Sequence, residues 1–390
     1  MSCEHIKLAR VLQPKGYIRG PFGSALRRSE LQKSGIPVYE QQHAITSSRE
    51  FRFYIGNEKY EELKRFTVQA NDIIISCSGT IGKVSIIKET DPIGIISQAL
   101  LILRCNTDVM LSEYLYYFLT SSAGFHSITS VSSGSVQVNI AKRAIIENID
   151  VPYVPLDVQK RVTSILQSID DKIELNQKIN ENLQRQAQII YEEMFLNTPH
   201  ATSISGKLSD IATITMGQSP SGSSYNEDGI GTIFFQGRAE FGFRFPAIRL
   251  YTTEPKRMAF ENDTLMSVRA PVGDLNVAHI DCCIGRGLAA IHSKNNHQSF
   301  VLYTMFSLKK QLNVFNGEGT VFGSINRNSL NDMPILIPSD NRIEKFERIV
   351  APMDAIIRNN YDEICRLQEI RDHLLPCLMS GELDVSDLDL

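Results

Sequence analysis

Asn71-Asp72-Ile73-Ile74-Ile75-Ser76 returns about 190 residues later as Asn262-Asp263-Thr264-Leu265-Met266-Ser267, and much of its surroundings returns with it. Upstream, Gly35-Ile36-Pro37-Val38-Tyr39 aligns with Gly231-Thr232-Ile233-Phe234-Phe235, Phe51-Arg52-Phe53 with Phe243-Arg244-Phe245, and Lys64-Arg65 with Lys256-Arg257. Downstream, Ile81-Gly82 aligns with Val272-Gly273 and Ser133-Gly134 with Glu318-Gly319. Each copy ends in a long helical segment. Matching order at nearly matching spacing describes one polypeptide built from two similar globular units. Internal two-fold likeness of this kind suits a target with two related halves, and double-stranded DNA is the obvious one.

At 390 residues, with 42% hydrophobic and 22% charged residues, the chain exceeds what one core usually organises. The repeat divides it into a globular unit over 1–155, a helical spacer over 156–200, a second globular unit over 201–338, and a second helical spacer with tail over 339–390. The start, Met1-Ser2-Cys3-Glu4-His5, lacks a basic stretch followed by an apolar run, and no apolar segment approaches the roughly 18 residues of a membrane helix. A cytoplasmic protein without a membrane segment is expected. Seven cysteines without regular spacing argue against a disulfide framework and fit a reducing compartment.

The net charge of -4 is unevenly placed. Residues 1–88 hold 14 Lys+Arg against 8 Asp+Glu, whereas 339–390 hold 6 against 12, so the globular parts can face phosphate while acidic helices face protein partners.

Residues 156–196 contain no glycine and step by three and four through Val158, Val162, Ile165, Ile169, Ile173, Asn176, Asn180, Leu183, Ala187, Ile190 and Met194. That is the seam of a coiled coil. A second seam runs through Arg342, Phe346, Ile349, Met353, Ile357, Asn360, Ile364, Leu367, Arg371, Leu374 and Leu378, and it places Asn360 at the position of Asn176. A polar residue repeated on an apolar seam reads as a register device for two helices packed on each other; tolerance at a wet helix edge is the plain alternative. Helices of about 40 residues are about 60 Å long, and an antiparallel pair can act as a ruler between two reading heads.

The globular units read as mixed α/β. Asp72–Ser76, Val84–Ile87 and Ile95–Leu103 read as strands, and Ser112–Thr120 reads as a helix capped by Ser112. Gly and Ser cluster before the first strand of each copy, at Gly20–Ser24 and Gly217–Ser224, where backbone amides can approach a phosphate.

Catalytic templates are missing. There is no phosphate-loop motif, and Gly317-Glu318-Gly319 followed by Gly323 departs from dinucleotide spacing. The absence of any Pro-Pro pair removes the box with which base amino-methyltransferases hold an amine. Cys282-Cys283 with His279, His292 and His297 lack metal-ligand spacing and read as buried thiols. Asp72 and Asp263 sit beside Asn at strand entrances, where turn capping is the usual role. Neither a catalytic residue nor a metal or cofactor ligand is assigned.

Recognition chemistry is better supplied. Gln41, Gln42 and His43 in one copy, with Gln236 and Arg238 in the other, follow aligned apolar strands and carry the groups that read base edges. Arg27, Arg28, Arg52, Lys64, Arg65 and Lys83, with Arg244, Lys256, Arg257 and Arg269, supply cations for phosphate. Ser78, Thr80, Gln218, Ser219 and Tyr225 complete the polar candidates. For any one of these, a solvated surface role is the plain alternative.

The order of motifs resembles the specificity subunit of type I restriction-modification systems over almost the whole chain. In the first unit it rests on Gly20-Pro21-Phe22-Gly23-Ser24-Ala25-Leu26, Gly35-Ile36-Pro37-Val38, Asp72-Ile73-Ile74-Ile75-Ser76, Gly79-Thr80-Ile81-Gly82-Lys83 and Ser97-Gln98-Ala99-Leu100. In the second it rests on Met216-Gly217-Gln218-Ser219-Pro220, Tyr225-Asn226 and Phe235-Gln236-Gly237. The helical ends contribute Pro155-Leu156-x-x-Gln159 and Leu374-Leu375-Pro376-x-Leu378-Met379-Ser380-Gly381-Glu382. One departure is Gly273-Asp274 where the first unit has Gly82-Lys83, so a phosphate role for Lys83 does not carry over. The resemblance implies a non-catalytic reader of a split, asymmetric DNA site, with paired helices that space the halves and dock two methyltransferase subunits. S-adenosylmethionine, ATP and Mg would then be used by partner subunits, including a motor-nuclease. Use for methylation alone, a degenerate nuclease or methyltransferase, and a peptide-binding scaffold are the alternatives.

Overall fold

The apolar run Ile73–Ser76 is buried on both faces, and the two faces belong to different cores. Ile73 and Ile75 pack with Leu101, Leu103, Tyr114 and Phe118, whereas Ile74 packs with Ile102, Val38, Ile55 and Ile95. Side chains alternate along a strand, so a strand covered on both sides reads as unbroken apolar sequence. In the second copy Met266 packs with Ala289, Ile291 and Val301, and Leu265 with Ala290, Phe235 and Ile284. Each such burial is worth roughly 1.5–3 kcal/mol.

The computed structural model describes residues 4–22, 25–130, 139–140, 142–197, 203–317 and 323–385. Gly23-Ser24, Ser133-Gly134 and Glu318-Gly319, used in the readings above, lie outside them. Among the described residues no helix is long and apolar enough to cross a membrane. The chain divides into two units, residues 1–174 with 363–390 and residues 175–362.

In the first unit, β1 (Glu4–Lys7) pairs with β9 (Asp150–Tyr153) and closes the globular part at its two chain ends. A four-stranded antiparallel sheet has the order β2 (Leu12–Arg19), β8 (Leu100–Cys105), β5 (Ile73–Ser76), β6 (Val84–Ile86). A smaller sheet has the order β4 (Tyr54–Ile55), β3 (Ile36–Tyr39), β7 (Ile95–Ile96), with β3 and β7 parallel. The second unit repeats this scheme. Here β10 (Ile204–Lys207) pairs with β20 (Pro334–Ile337). The four-stranded sheet is β11 (Ala212–Met216), β19 (Leu288–Ser293), β16 (Thr264–Ser267), β17 (Leu275–Val277). The other sheet is β12 (Tyr225–Asn226), β14 (Leu250–Thr252), β13 (Thr232–Phe235), β18 (Cys282–Ile284), β15 (Met258–Ala259), with β13 parallel to β18.

The recurring Asn-Asp pair is a strand-entry turn. Asn71 and Asn262 take φ of 69° and 70°, a left-handed conformation that Asn tolerates. Asp72 and Asp263 then accept from the backbone N–H of Gln69 and Phe260 at 2.7 and 2.8 Å. Burial pushes both carboxyls up, although Arg104 holds Asp72 at 2.7 Å and His292 holds Asp263 at 2.6 Å.

Three local elements differ from the sequence expectation. Ile95–Leu103 is two strands, because the chain crosses between sheets at Ser97-Gln98-Ala99. Helix Ser112–Thr120 starts where expected, but its N-cap is Leu111 and Ser112 is buried. The Gly-Ser clusters follow β2 and β11, each the first strand of a four-stranded sheet and the second strand of its unit.

The long helices are Leu156–Tyr191, continued by a π-turn at Glu192–Leu196, and Asp340–Ser380. They run antiparallel in each unit. In the first, Ile169 and Ile173 pack with Ile364, and Arg371 meets Asp170 at 2.9 Å. Gln159 pins the start of the first helix: its side chain accepts from Leu111 N–H and donates to Val109 and Val154 carbonyls. In the second unit Asn360 donates to Asn180 at 2.8 Å, so the register pair is Asn180–Asn360 and not Asn176 with Asn360. Antiparallel packing brings together residues whose numbers move in opposite directions, which the alignment of like positions overlooks. Asn176 is buried. The second seam also shifts by one residue at Ile349, which is 42% exposed while Val350 is buried.

Candidate nucleic-acid interface

At one end of each unit the ends of the strands converge, and the same four backbone hydrogen bonds hold them in both copies. In the first unit Gly20 N–H donates to Leu100, Cys77 to Ala99, Ser97 to Tyr39 and Ile140 to Cys77. In the second Gly217 donates to Leu288, Val268 to Gly287, Gly285 to Phe235 and Ile325 to Val268. The glycine after β2 and β11 is required by close approach: a Cβ on Gly20 would sit 2.0 Å from the Ser97 carbonyl oxygen, and one on Gly217 would sit 2.2 Å from that of Gly285. A fixed backbone frame thus carries interchangeable side chains.

The next loop is equally constant. Ser76 Oγ accepts from Lys83 N–H at 2.9 Å and Ser267 Oγ from Asp274 N–H at 2.9 Å, and Gly82 and Gly273 donate to the carbonyls of Ser76 and Ser267. The residue that follows differs in charge and exposure: Lys83 is exposed and Asp274 half-buried. Lys83 stands over the Phe125 ring at 5.0 Å. Asp274 instead binds Lys309 at 2.7 Å and also Arg238. Burial alone would raise its carboxyl, but those two cations outweigh it and hold Asp274 below the ordinary carboxylate range.

The first frame gathers Gln41, whose amide donates to the Thr80 carbonyl at 3.2 Å, with exposed Gln42. Ser78 forms a bridge to Asn139 on the same frame. Arg28 lines a shallow pocket with Glu40, Phe53 and Gln98, and exposed Arg27 precedes it. Arg52, 63% exposed, is held by Glu40 through Nε and Nη2 at 3.3 and 2.7 Å. The second frame gathers exposed Gln218, Gln236, Arg238 and Arg269 with half-buried Ser219; Ser219 Oγ accepts from Arg286 N–H, and the Gln236 carbonyl from Gly287 N–H.

Other candidates lie elsewhere. His43 is fully buried, stacked on Phe51 and bonded to Glu40 and Glu50, so it builds the frame and cannot reach a base. Arg244 is 4% exposed; it binds Tyr303 at 3.0 Å and Asp354 at 3.3 Å, which removes it as a phosphate contact. Its alignment with Arg52 fails topologically, since Phe53 runs directly into β4 while Phe245 lies several residues before β14. Tyr225 packs on Phe234 and donates to the Pro220 carbonyl. Lys64 and Arg65 form a 3-10 turn beside the outer edge of β7, with Lys64 paired to Glu61; Lys256 and Arg257 precede edge strand β15.

Arg19, Gln98 and Arg286 also lie on the two frames and are not among the candidates read from the sequence. Arg19 ends β2, and its Nη1 is buried without a partner among the described residues. Gln98 and Arg286 occupy the same place between sheets, and the signal for Arg286 was its flanking pair Gly285 and Gly287.

The model of the type I restriction modification DNA specificity domain matches this chain twice, over residues 23–185 and 205–366. The chain belongs to that family. A protein named as the MjaX type I restriction enzyme specificity subunit of Methanocaldococcus jannaschii is 28% identical over 353 residues, covering 85% of this chain and 83% of its own. The MjaIX specificity subunit of the same organism is 23% identical and covers 72% of this chain and 71% of its own. The solved S subunit of a type I restriction-modification system from M. genitalium has the same fold, with a TM-score of 0.63 at 15% identity, covering 99% of this chain and 97% of that one. As a specificity-family chain it recognises DNA sequence and is not itself a catalyst.

Proposed function

We propose that each frame reads one half of a bipartite, asymmetric site in double-stranded DNA, and that the chain brings methyltransferase and restriction subunits to that site. What supports this is the pair of frames built on the same four hydrogen bonds but tipped with different side chains: Gln41, Gln42, Thr80 and Lys83 in one, Gln236, Arg238 and Arg269 in the other. Equal scaffolds with unequal tips give two half-sites that differ in sequence. Arg19, Arg28, Lys83, Arg269 and Arg286 add cations beside those tips, which suits phosphate in a chain whose net charge is negative.

The helical chain joining the units would set the number of unread base pairs, and its exposed outer faces would seat two methyltransferase subunits. S-adenosylmethionine, ATP and Mg would belong to those partners and to a motor-nuclease. Selection of bound duplexes from a random library, with the chain assembled with its methyltransferase subunit, tests the reading. Two short conserved blocks separated by a fixed unread stretch are expected, with affinity falling steeply as salt rises. A single block, or binding that ignores salt, contradicts it.

A further inference from the structure

Within the second unit, Arg238, Asp274 and Lys309 form a triad. Asp274 is fixed from below: its N–H donates to Ser267 Oγ at 2.9 Å, and Ser267 Oγ donates to the Pro271 carbonyl at 2.7 Å. Lys309 closes the opposite side, donating to Asp274 Oδ1 at 2.7 Å and to the Gly273 carbonyl at 2.9 Å. The other carboxylate oxygen takes Nη1 of Arg238. Arg238 begins a 3-10 turn two residues beyond β13, after Gln236 and Gly237, and is 49% exposed. Its Nε and Nη2 have no partner among the described residues. Arg52 in the first unit is the contrast, because Glu40 occupies its Nε and Nη2 edge.

A guanidinium held by one nitrogen, with the adjacent two-donor edge open, is prepared for bidentate bonding to the O6 and N7 acceptors of guanine. Immobilising the side chain in advance reduces the ordering cost of that contact. With Arg238 and Lys309 both on the single Asp274 carboxylate, the triad keeps a net positive charge toward DNA.

We infer that Arg238 reads a guanine in the half-site of the second unit, with Asp274 and Lys309 as positioning residues. This rests on the two-frame reading above. Asp274 stands where the first unit has Lys83, so the two copies use one loop position in opposite ways: a cation available to phosphate, and an anion that aims another cation.

The test is duplex selection with the full chain and its methyltransferase partner, comparing wild type with Arg238→Ala, Arg238→Lys and Asp274→Asn, each checked for an unchanged thermal melt. A guanine at one position of one block is expected in wild type. Arg238→Ala and Arg238→Lys should each reduce that preference at least tenfold and leave the other block unchanged, because lysine keeps the charge but loses the fork. Asp274→Asn should weaken the preference severalfold with smaller loss of total affinity. Retained preference in Arg238→Lys, uniform loss of affinity without change of base preference in Arg238→Ala, or a block without guanine would overturn the inference while leaving the two-frame reading intact. A wild type that selects no split site removes the two-frame reading itself.

Discussion

Arg244 is a buried cation whose guanidinium joins Tyr303 and Asp354 within the second unit, between the globular part and the second long helix. Removing one member leaves the others uncompensated, so Arg244→Ala should cost about 3–5 kcal/mol and lower the melting temperature sharply. Arg52→Ala, at an exposed pair, should change stability by less than about 1 kcal/mol; similar losses for the two would contradict the burial assigned to Arg244. Nearby, Glu347 accepts from Phe300 N–H at 2.7 Å, and burial, reinforced by Asp354, pushes its carboxyl from 4.5 up to about 7. The folded chain therefore holds a proton that the unfolded chain releases, and this contribution to stability is present below about pH 4.5 and lost as pH rises toward 7. Glu347→Gln should gain on wild type across that window, by on the order of 2 kcal/mol above pH 7. Melting curves at pH 5 and pH 8 check the sign, and an equal difference at both pH values would contradict it.

At the scale of elements, strands and helices were legible wherever burial imposed a period. The seam residues of the first long helix are all buried or half-buried, and the doubly covered strands Ile73–Ser76 and Thr264–Ser267 read as apolar runs. Junctions were not legible. Ser97-Gln98-Ala99 reads as strand because neither residue type nor period marks a crossing between sheets, and Arg52 aligns with Arg244 because short motifs recur without regard to topology. Like-position alignment also hid the Asn180–Asn360 pair, which exists only because the helices run in opposite directions. Asn360→Leu should leave the buried Asn180 amide short of a partner and cost about 1–3 kcal/mol, with most of it recovered in Asn180→Leu/Asn360→Leu. Chemical denaturation of the four chains measures that coupling; additive losses would mean that the two amides do not act as a pair. The frame glycines behave as part of the same logic. Gly20→Ala should disturb the first half-site and Gly217→Ala the second, because each added Cβ meets a carbonyl oxygen inside its own unit.

For the whole molecule, duplication is what the sequence shows most openly, since order and spacing survive even where residues diverge. Which side chains meet bases was less open: of the candidates, His43 and Arg244 turned out to be buried, while Arg19, Gln98 and Arg286 entered only through the positions that folding gives them. On the two-frame reading one chain contributes two independent halves of DNA recognition. Mapping methylated adenines genome-wide tests it most directly, with the partner methyltransferase subunit expressed alone, with this chain, and with a chain in which residues 206–338 come from a relative. A split motif that appears only with this chain, and that changes in one half only after the exchange, is expected. Methylation independent of the chain, or an exchange that alters both halves together, would contradict it.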